Sequence, residues 1–299
     1  MKTLHSLVIR NSKLFFKDKG MFFTSLITPV ILLVLYATFL ADVYRDSFSL
    51  ALPTGFEVSE KLINGAVGAQ LFSSLLAVCC VTVSFCSNML MVQDKANGTK
   101  RDFTVSPVKR SSLALGYYIS TAITSLIICF AAMGICFIYL ANVGWYLSAT
   151  DVLLLVLDTF LLVMFGTALS SIINFFLTSQ GQISAVGTVV SAGYGFICGA
   201  YMPISQFAEG LQRAISFLPA TYGTSLLRNH AMRGIFEAMG DSNIPSETIE
   251  AIKDSIDCNL YFFDKAVSLP TMYLILGSSV ALLIAVYIIL NVTLAKKTK

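Results

Sequence analysis

Carboxylates beside a long apolar stretch are the first residues whose type and position could support chemistry. Asp151 stands at the start of such a stretch, and Asp158 follows two helical turns later, roughly 10 Å further along an α-helix. If the stretch crosses a membrane, a buried carboxylate marks a substrate path or a proton relay by default. The alternative is a neutral or hydrogen-bonded carboxyl group near the membrane surface. An ion-driven pump needs several buried titratable groups. Two carboxylates are too few for such a proton relay, so the pattern argues against a pump.

Nucleophilic, metal and nucleotide chemistry lack the residues they need. The chain has two histidines, His5 and His230, and neither falls in a long apolar run, so a Ser–His hydrolase or a His-ligated metal site has no candidate. Residues 98–100 read Gly-Thr-Lys, but the first glycine of a GxxxxGK[ST] phosphate loop and its spacing are absent. We therefore expect no enzyme activity and no cofactor bound by this chain.

Charge is concentrated in one short stretch, residues 94–110. It contains Asp94, Lys95, Lys100, Arg101, Asp102, Lys109 and Arg110. Gly98 and Pro107 interrupt it and leave room for a short helix or turn between them. One interpretation is a docking element for a partner; the other is a solvated basic turn that fixes topology.

Composition excludes two broad classes of protein. Charged residues make up 12% of the 299 residues and hydrophobic residues 56%, whereas soluble domains carry about 25% charged residues. The mean hydropathy is +0.77. The net charge is only +3, which is too balanced for a protein that binds nucleic acid. The low charged fraction and the high mean hydropathy exclude a water-soluble globular protein.

The lengths of the apolar runs predict an all-α, polytopic membrane protein. A spanning helix needs roughly 20 apolar residues, which divides the chain into six transmembrane helices over residues 21–41, 64–92, 112–141, 151–177, 182–201 and 268–294. Residues 2–19 keep an apolar stripe with basic residues off it, which predicts an N-terminal interfacial amphipathic helix in contact with the lipid bilayer. Residues 202–265 form an outer segment of short, re-entrant helices. Together these make one domain over residues 1–299.

Basic residues predict the orientation. Thirteen of the 20 Lys and Arg residues fall on the side shared by the two termini. On the other side, five lie in the long 202–265 segment, which counts little, and two lie in short loops. Both termini are therefore expected in the cytoplasm, with residues 94–110 beside them.

Small residues recur every fourth position through the fifth predicted span, at Gly187, Ser191, Gly195 and Gly199. Such a face lets two helix backbones approach closely. It could form a subunit interface, a moving seam or ordinary packing. With Pro203, Pro219 and Asp158, Gly195 and Gly199 are our candidates for a transport path or gate.

Two motifs resemble signatures of ABC transporter type-2 permeases. Residues 94–110, with Asp94, Gly98-Thr99 and Ser106-Pro107-Val108, resemble the acidic–Gly-Thr–(Thr/Ser)-Pro-Val loop of that family. Residues 199–228, from Gly-Ala-Tyr-Met-Pro to Leu-Arg, are similar to the signature that follows the fifth span. The sequence departs from the family at Asp94, often Glu; at residues 103–104, often Leu-Leu; and at Ala208, often Pro.

The resemblance implies a transport subunit of the cell membrane without its own motor. Two cytoplasmic ATPase subunits would bind ATP and Mg²⁺, and a second permease copy or homologue would complete the pore. The substrate class would be amphipathic: a drug, an antimicrobial peptide, a lipid or a lipid-linked glycan. The residues of the ATPase-coupling loop would be Asp94, Lys95, Gly98, Thr99, Lys100, Arg101, Ser106, Pro107 and Val108.

An exposed ion pair is worth about 1 kcal/mol, while a β-branched residue resists the turn expected at Gly98. From the sequence we therefore expect Gly98→Val to damage coupling more than Asp94→Lys. Two other classes stay open. An ion-coupled secondary transporter or channel should show buried ion-binding groups or inverted repeats, and neither is clear. A non-transporting sensor or assembly factor would leave the charged loop unexplained.

Overall fold

The protein is described by a computed structural model that covers residues 2–51, 59–106, 108–263 and 265–293. The side chains of Lys100, Arg101 and Thr104 lie outside this description. The described helices are α1 Lys2–Lys17, α2 Lys19–Leu35, α3 Ala41–Ala51, α4 Glu60–Ala96, α5 Thr99–Val105, α6 Arg110–Val143, α7 Ala149–Phe176, α8 Gln180–Ile197, α9 Glu209–Ile215, α10 Pro219–Asp241, α11 Ser246–Ser255 and α12 Leu269–Thr293. A π-helical turn, Tyr36–Leu40, joins α2 to α3, and a 3₁₀ turn, Ile204–Gln206, precedes α9. Two short strands, β1 Tyr261–Phe262 and β2 Lys265–Ala266, pair antiparallel.

The all-α membrane class is confirmed. Within the described residues, five helical segments are long and apolar enough to cross a bilayer: Lys19–Asp46, Glu60–Ala96, Arg110–Val143, Ala149–Phe176 and Leu269–Thr293. They coincide with five of the six predicted spans. The sixth, residues 182–201, coincides with α8, whose 18 residues are not among those five. Six spans therefore stay a prediction.

Helix α4 is the centre of the bundle. It contacts α2, α6, α7, α8 and α10, and it is buried along most of its length. Glycines allow the close approach: a Cβ at Gly166 of α7 would lie 3.0 Å from the Cys80 carbonyl oxygen. Farther along, Asn88 donates hydrogen bonds to Ser170 and Ser171 at 3.0 and 2.9 Å. Small and hydrogen-bonding residues join helices in this way where lipid offers no hydrophobic driving force.

Asp151 has a structural role at the start of α7. Ser148 and Asp151 form a capping box, in which each side chain accepts a hydrogen bond from the other residue's backbone N–H. This arrangement satisfies two N–H groups that the helix leaves without partners. Asp151 thus stabilises the first turn of α7, and Asp158 is left as the deeper carboxylate.

The outer segment folds differently from the short helices expected there. Helix α10 runs for 23 residues and packs against α4, α7 and α12. Pro219 stands in its first turn, where a missing N–H costs nothing; the proline therefore starts this helix instead of interrupting it. Helices α9 and α11, with seven and ten residues, are short as expected.

Candidate functional site: the inner node and the main cavity

The charged stretch contains the short helix that the sequence predicts. Helix α4 ends at Ala96, and Gly98 then adopts φ +80° before α5 begins at Thr99. This left-handed conformation favours glycine because a Cβ strains it. In the part of the chain that the structure describes, no atom outside the chain neighbours lies within 4 Å of where a Cβ would stand, so the cost of substitution comes from the backbone. Pro107 lies outside the described residues.

Asp94 binds into the bundle at the last turn of α4. Its carboxylate is buried and accepts two hydrogen bonds from Arg10 of α1, at 2.6 and 3.0 Å. Tyr117 of α6 donates a third at 2.6 Å. The hydrogen bond with Asp94 raises the pKa of Arg10. Two-pronged Arg–carboxylate pairs of this kind are among the strongest hydrogen bonds in proteins.

Helix α5 joins the same cluster through Phe103. The Arg10 guanidinium lies 5.1 Å from the centre of the Phe103 ring, within the range of a cation–π interaction. Phe103 and Val108 also pack against a small core formed by Leu7, Met91, Leu113 and Tyr117. We call Arg10, Asp94, Phe103 and Tyr117 the inner node. It ties α1, α4, α5 and α6 together at one point.

Lys95 extends this connection to α7. Its ammonium group donates hydrogen bonds to the carbonyl oxygens of Asn174, Phe175 and Leu177 at 2.8, 2.7 and 3.0 Å. The last carbonyls of a helix lack intrahelical partners and carry partial negative charge, so a cation stabilises them. Lys95 is therefore engaged with the bundle and is not available on the surface of the loop.

The other face of α5 is open. Val105 is 84% exposed, and Asp102 is exposed beside it. Thr99 is half-buried, and the Ser106 hydroxyl donates to the Phe103 carbonyl oxygen at 2.8 Å. Of the predicted coupling residues, Asp94 and Lys95 are bound within the bundle. Asp102 and Val105, which are exposed on α5, are not among the predicted ones.

A large cavity lies between α2–α3 and α8, with Cys86 and Met89 of α4 among its lining. Its volume is about 1200 Å³. Asp18, Gln93 and Gln180 line one end and Tyr201, Met202 and Pro203 the other. Every other described lining residue is uncharged. We call this the main cavity.

The small-residue face of α8 divides at the main cavity. Gly187 and Ser191 line it, whereas Gly195 lies under the Tyr201 ring, which a Cβ would strike. Gly199, at φ +73°, ends the helix: the Gly199 and Ala200 N–H groups bond back to the Phe196 and Gly195 carbonyl oxygens at 3.2 and 2.9 Å. This is the bonding pattern of a Schellman motif.

Comparison with known families decides the class of the protein. Residues 3–231 match the family described as ABC-2 type transporter. The chain belongs to the ABC-2 type transporter family. A search of curated proteins found no match. Members of this family are membrane subunits of transporters and work with ATP-binding subunits.

In this ABC-2 permease, the candidate path residues do not gather at one place. Pro203 lines the main cavity, whereas Asp158, Gly195, Gly199 and Pro219 are not among its lining residues. Asp158 is completely buried among α7, α10 and α12. It lies 2.6 Å from His230 Nδ1 and accepts a hydrogen bond from the Tyr273 hydroxyl at 2.5 Å.

Sequence reasoning missed the partner of Asp158, because residues 219–241 were not recognised as one helix. His230 and Arg233 are three residues apart and lie on one face of α10. Asp158 and Asp151 are seven apart on α7, and Arg233 pairs with Asp151 at 2.7 Å. Polar residues on one face of each helix, three apart on α10 and seven apart on α7, were the available signal. They describe a polar seam between α7 and α10.

Proposed function

We propose that the chain is the permease subunit of an ATP-binding-cassette exporter of the cell membrane. Two separate cytoplasmic ATPase subunits bind ATP and Mg²⁺, and both termini of the permease lie on their side. The carrying observation is the placement of α5, fixed from within by the inner node and exposed at Val105. A short helix held this way suits the transmission of movement from a docked partner.

The contacts suggest how such a movement would spread. Phe103 lies against Arg10, and Arg10 binds Asp94 at the end of the central helix α4. The neighbouring Lys95 holds the end of α7. Because these contacts link the four helices, a displacement of α5 would move α1, α4 and α7 together or be resisted by all three. Packed elements of this kind transmit discrete shifts better than gradual deformation.

The main cavity supports an amphipathic substrate and a paired permease. Of the lining residues that the structure describes, none is Lys or Arg, and Asp18 is the one with a charge. An anionic group without a partner is costly in such surroundings, so the lining favours drugs and neutral amphiphiles over lipid-linked glycans with several phosphates. Most of α8 is unburied within this chain, and a second copy or homologue would cover it.

The test is ATP hydrolysis by the complex isolated with a tagged permease. Val105→Asp places a charge on the exposed face of α5 and should abolish the ATPase activity that is isolated with the permease. Phe217→Asp is the matched control, because Phe217 is also exposed but lies in the outer segment. Equal ATPase activity in both variants would contradict docking at α5. Transport by the permease without any ATPase subunit would favour the ion-coupled alternative.

A further inference from the structure

A second, smaller pocket lies beside the outer end of the main cavity. Its volume is about 260 Å³, and its lining includes Ile204, Ser205, Glu209, Asp254 and Tyr261. We call it the outer pocket. Pro203 lines the main cavity and the adjacent Ile204 lines the outer pocket, and both are buried. Residues 203–205 therefore form a partition between the two spaces.

Asp257 holds this partition from the outer side. Its carboxylate accepts hydrogen bonds from the backbone N–H groups of Ile204 and Ser205 at 2.7 and 3.3 Å. Only 4% of Asp257 is exposed. Burial raises the pKa of Asp257, while Arg228 and the two N–H groups act in the opposite direction. The carboxylate is thus taken out of water to bind two successive N–H groups of one short turn.

Arg228 of α10 links the end of α8 to the segment that carries Asp257. It is completely buried. Its Nη1 donates to the Ile256 carbonyl oxygen at 2.5 Å and lies 3.4 Å from the Asp257 carboxylate. Its Nη2 donates to the Gly199 carbonyl oxygen at 2.8 Å. One guanidinium therefore fixes the end of α8, ahead of the partition, and the segment that carries Asp257.

Gly199 makes room for this contact. A Cβ at Gly199 would lie 2.9 Å from a carboxylate oxygen of Asp257 and 3.0 Å from Ile204. A larger residue would push the carboxylate away from the partition. Gly199, Arg228 and Asp257 together thus fix the position of the partition, residues 203–205.

We propose that the partition is the outer gate of the transport path, that the outer pocket is its exit vestibule, and that Arg228 and Asp257 are positioning residues that hold the gate closed. The proposal rests on the proposed function, since only a transport path needs an exit. Release of the Ile204 and Ser205 N–H groups from Asp257 would join the main cavity to the outer pocket. Asp257 lies beyond the residues that match the family, so the family match does not point to it.

Thiol labelling in intact cells tests the gate without a substrate or an ATPase. Met202→Cys places a thiol on the cavity side of the partition, and Glu209→Cys places one in the outer pocket. A membrane-impermeant maleimide added outside should label Glu209→Cys rapidly and Met202→Cys slowly. Adding Asp257→Asn should accelerate labelling of Met202→Cys about tenfold, because breaking a buried charge pair is strongly unfavourable. Labelling of Glu209→Cys should not change.

Two controls separate gate opening from unfolding. Arg228→Lys keeps the buried charge but loses the planar fork, so it should accelerate labelling of Met202→Cys less than Asp257→Asn does. The native cysteines are all buried, and Cys258, adjacent to Asp257, should stay unlabelled. Unchanged labelling of Met202→Cys in both variants would overturn the proposal. Parallel labelling of Cys258 would overturn it too, because the pair would then hold the fold and not a gate.

If Asp257→Asn does not reach the membrane, the labelling of Met202→Cys and Cys258 in the Arg228→Lys variant alone tests the gate. The labelling needs only the permease, so its outcome is independent of ATPase docking at α5. A gate that opens as expected beside a failed docking experiment would keep the gate and reject only ATPase docking at α5. The reverse combination would keep the exporter and reject this gate.

Discussion

At the scale of single residues, Asp94 changes role between sequence and structure. Its place in a charged loop suggests an exposed docking residue whose reversal costs about 1 kcal/mol. That premise is wrong: the carboxylate is buried and bound to Arg10 and Tyr117. Removing one partner of a fully buried pair costs about 3–5 kcal/mol; the Arg10 side chain is 30% exposed, so the cost here lies between that figure and that of an exposed pair. For stability we therefore expect Asp94→Lys to be harsher than Gly98→Val.

We predict that Asp94→Lys lowers the thermal unfolding midpoint of the detergent-solubilised permease and its abundance in the membrane. The physical reason is repulsion between the new lysine and Arg10 inside the inner node. Asp102→Lys, an equal charge reversal at an exposed position of α5, is the control and should melt like the wild type. Equal melting of the two variants would show that the inner node contributes little to stability.

Asp158 belongs to the same scale. Because it does not line the main cavity and bridges His230 and Tyr273, we predict that Asp158→Leu destabilises the packing of α7, α10 and α12. Tyr273→Phe removes one hydroxyl and should lower the melting temperature less. Thermal unfolding of the two variants measures this. An Asp158→Leu variant with normal stability and reduced export would instead make Asp158 a path residue.

At the scale of elements, Gly98 sets the direction in which α5 leaves α4. Its φ of +80° costs an L-residue roughly 1–2 kcal/mol. The surrounding space is open, so we predict that Gly98→Val leaves membrane abundance unchanged and lowers ATP hydrolysis in the reconstituted complex. Asn tolerates this conformation better, so Gly98→Asn should keep more activity than Gly98→Val. Equal activity in Gly98→Val and the wild type would make the loop a topology anchor alone.

Much of the element order could be predicted from apolar run lengths, and the departures have local causes. The predicted span 151–177 nearly coincides with Ala149–Phe176, whose start is set by a capping box. The predicted span 182–201 overruns Ile197, because Gly199 ends α8. Helix α10 was missed because its polar and apolar residues are mixed, as expected for a helix that packs against protein on several sides.

The contacts of the sites could not be predicted in the same way. Arg10 and Asp94 are 84 residues apart in the chain, and Asp158 and His230 are 72 apart. Periodicity reports which face of a helix is apolar, but it does not report which helix lies opposite. The signature loop could be located from its residue types alone, while the division of that loop into buried and exposed residues required the fold.

At the scale of the whole molecule, the proposed function assigns partners to two surfaces of the permease. One is the open side of the main cavity, where Ile27 and Ile31 of α2 are each at least half exposed. The other is the exposed face of α5, which carries Val105 and lies on the side expected to be cytoplasmic. A second permease would cover the first surface, and an ATP-binding subunit would cover the second. The proposed exporter function depends most on the second contact.

Site-directed photo-crosslinking tests that contact directly. A photoreactive amino acid in place of Val105 should cross-link, in intact membranes, to a subunit that contains a phosphate-binding loop and hydrolyses ATP. The same amino acid in place of Phe217, an exposed residue of the outer segment, should give no such product. Cross-linking of the ATP-binding subunit at position 105 alone is the result that the account predicts. Its absence at 105, or its presence at 217, would contradict the proposal that α5 couples this permease to an ATPase.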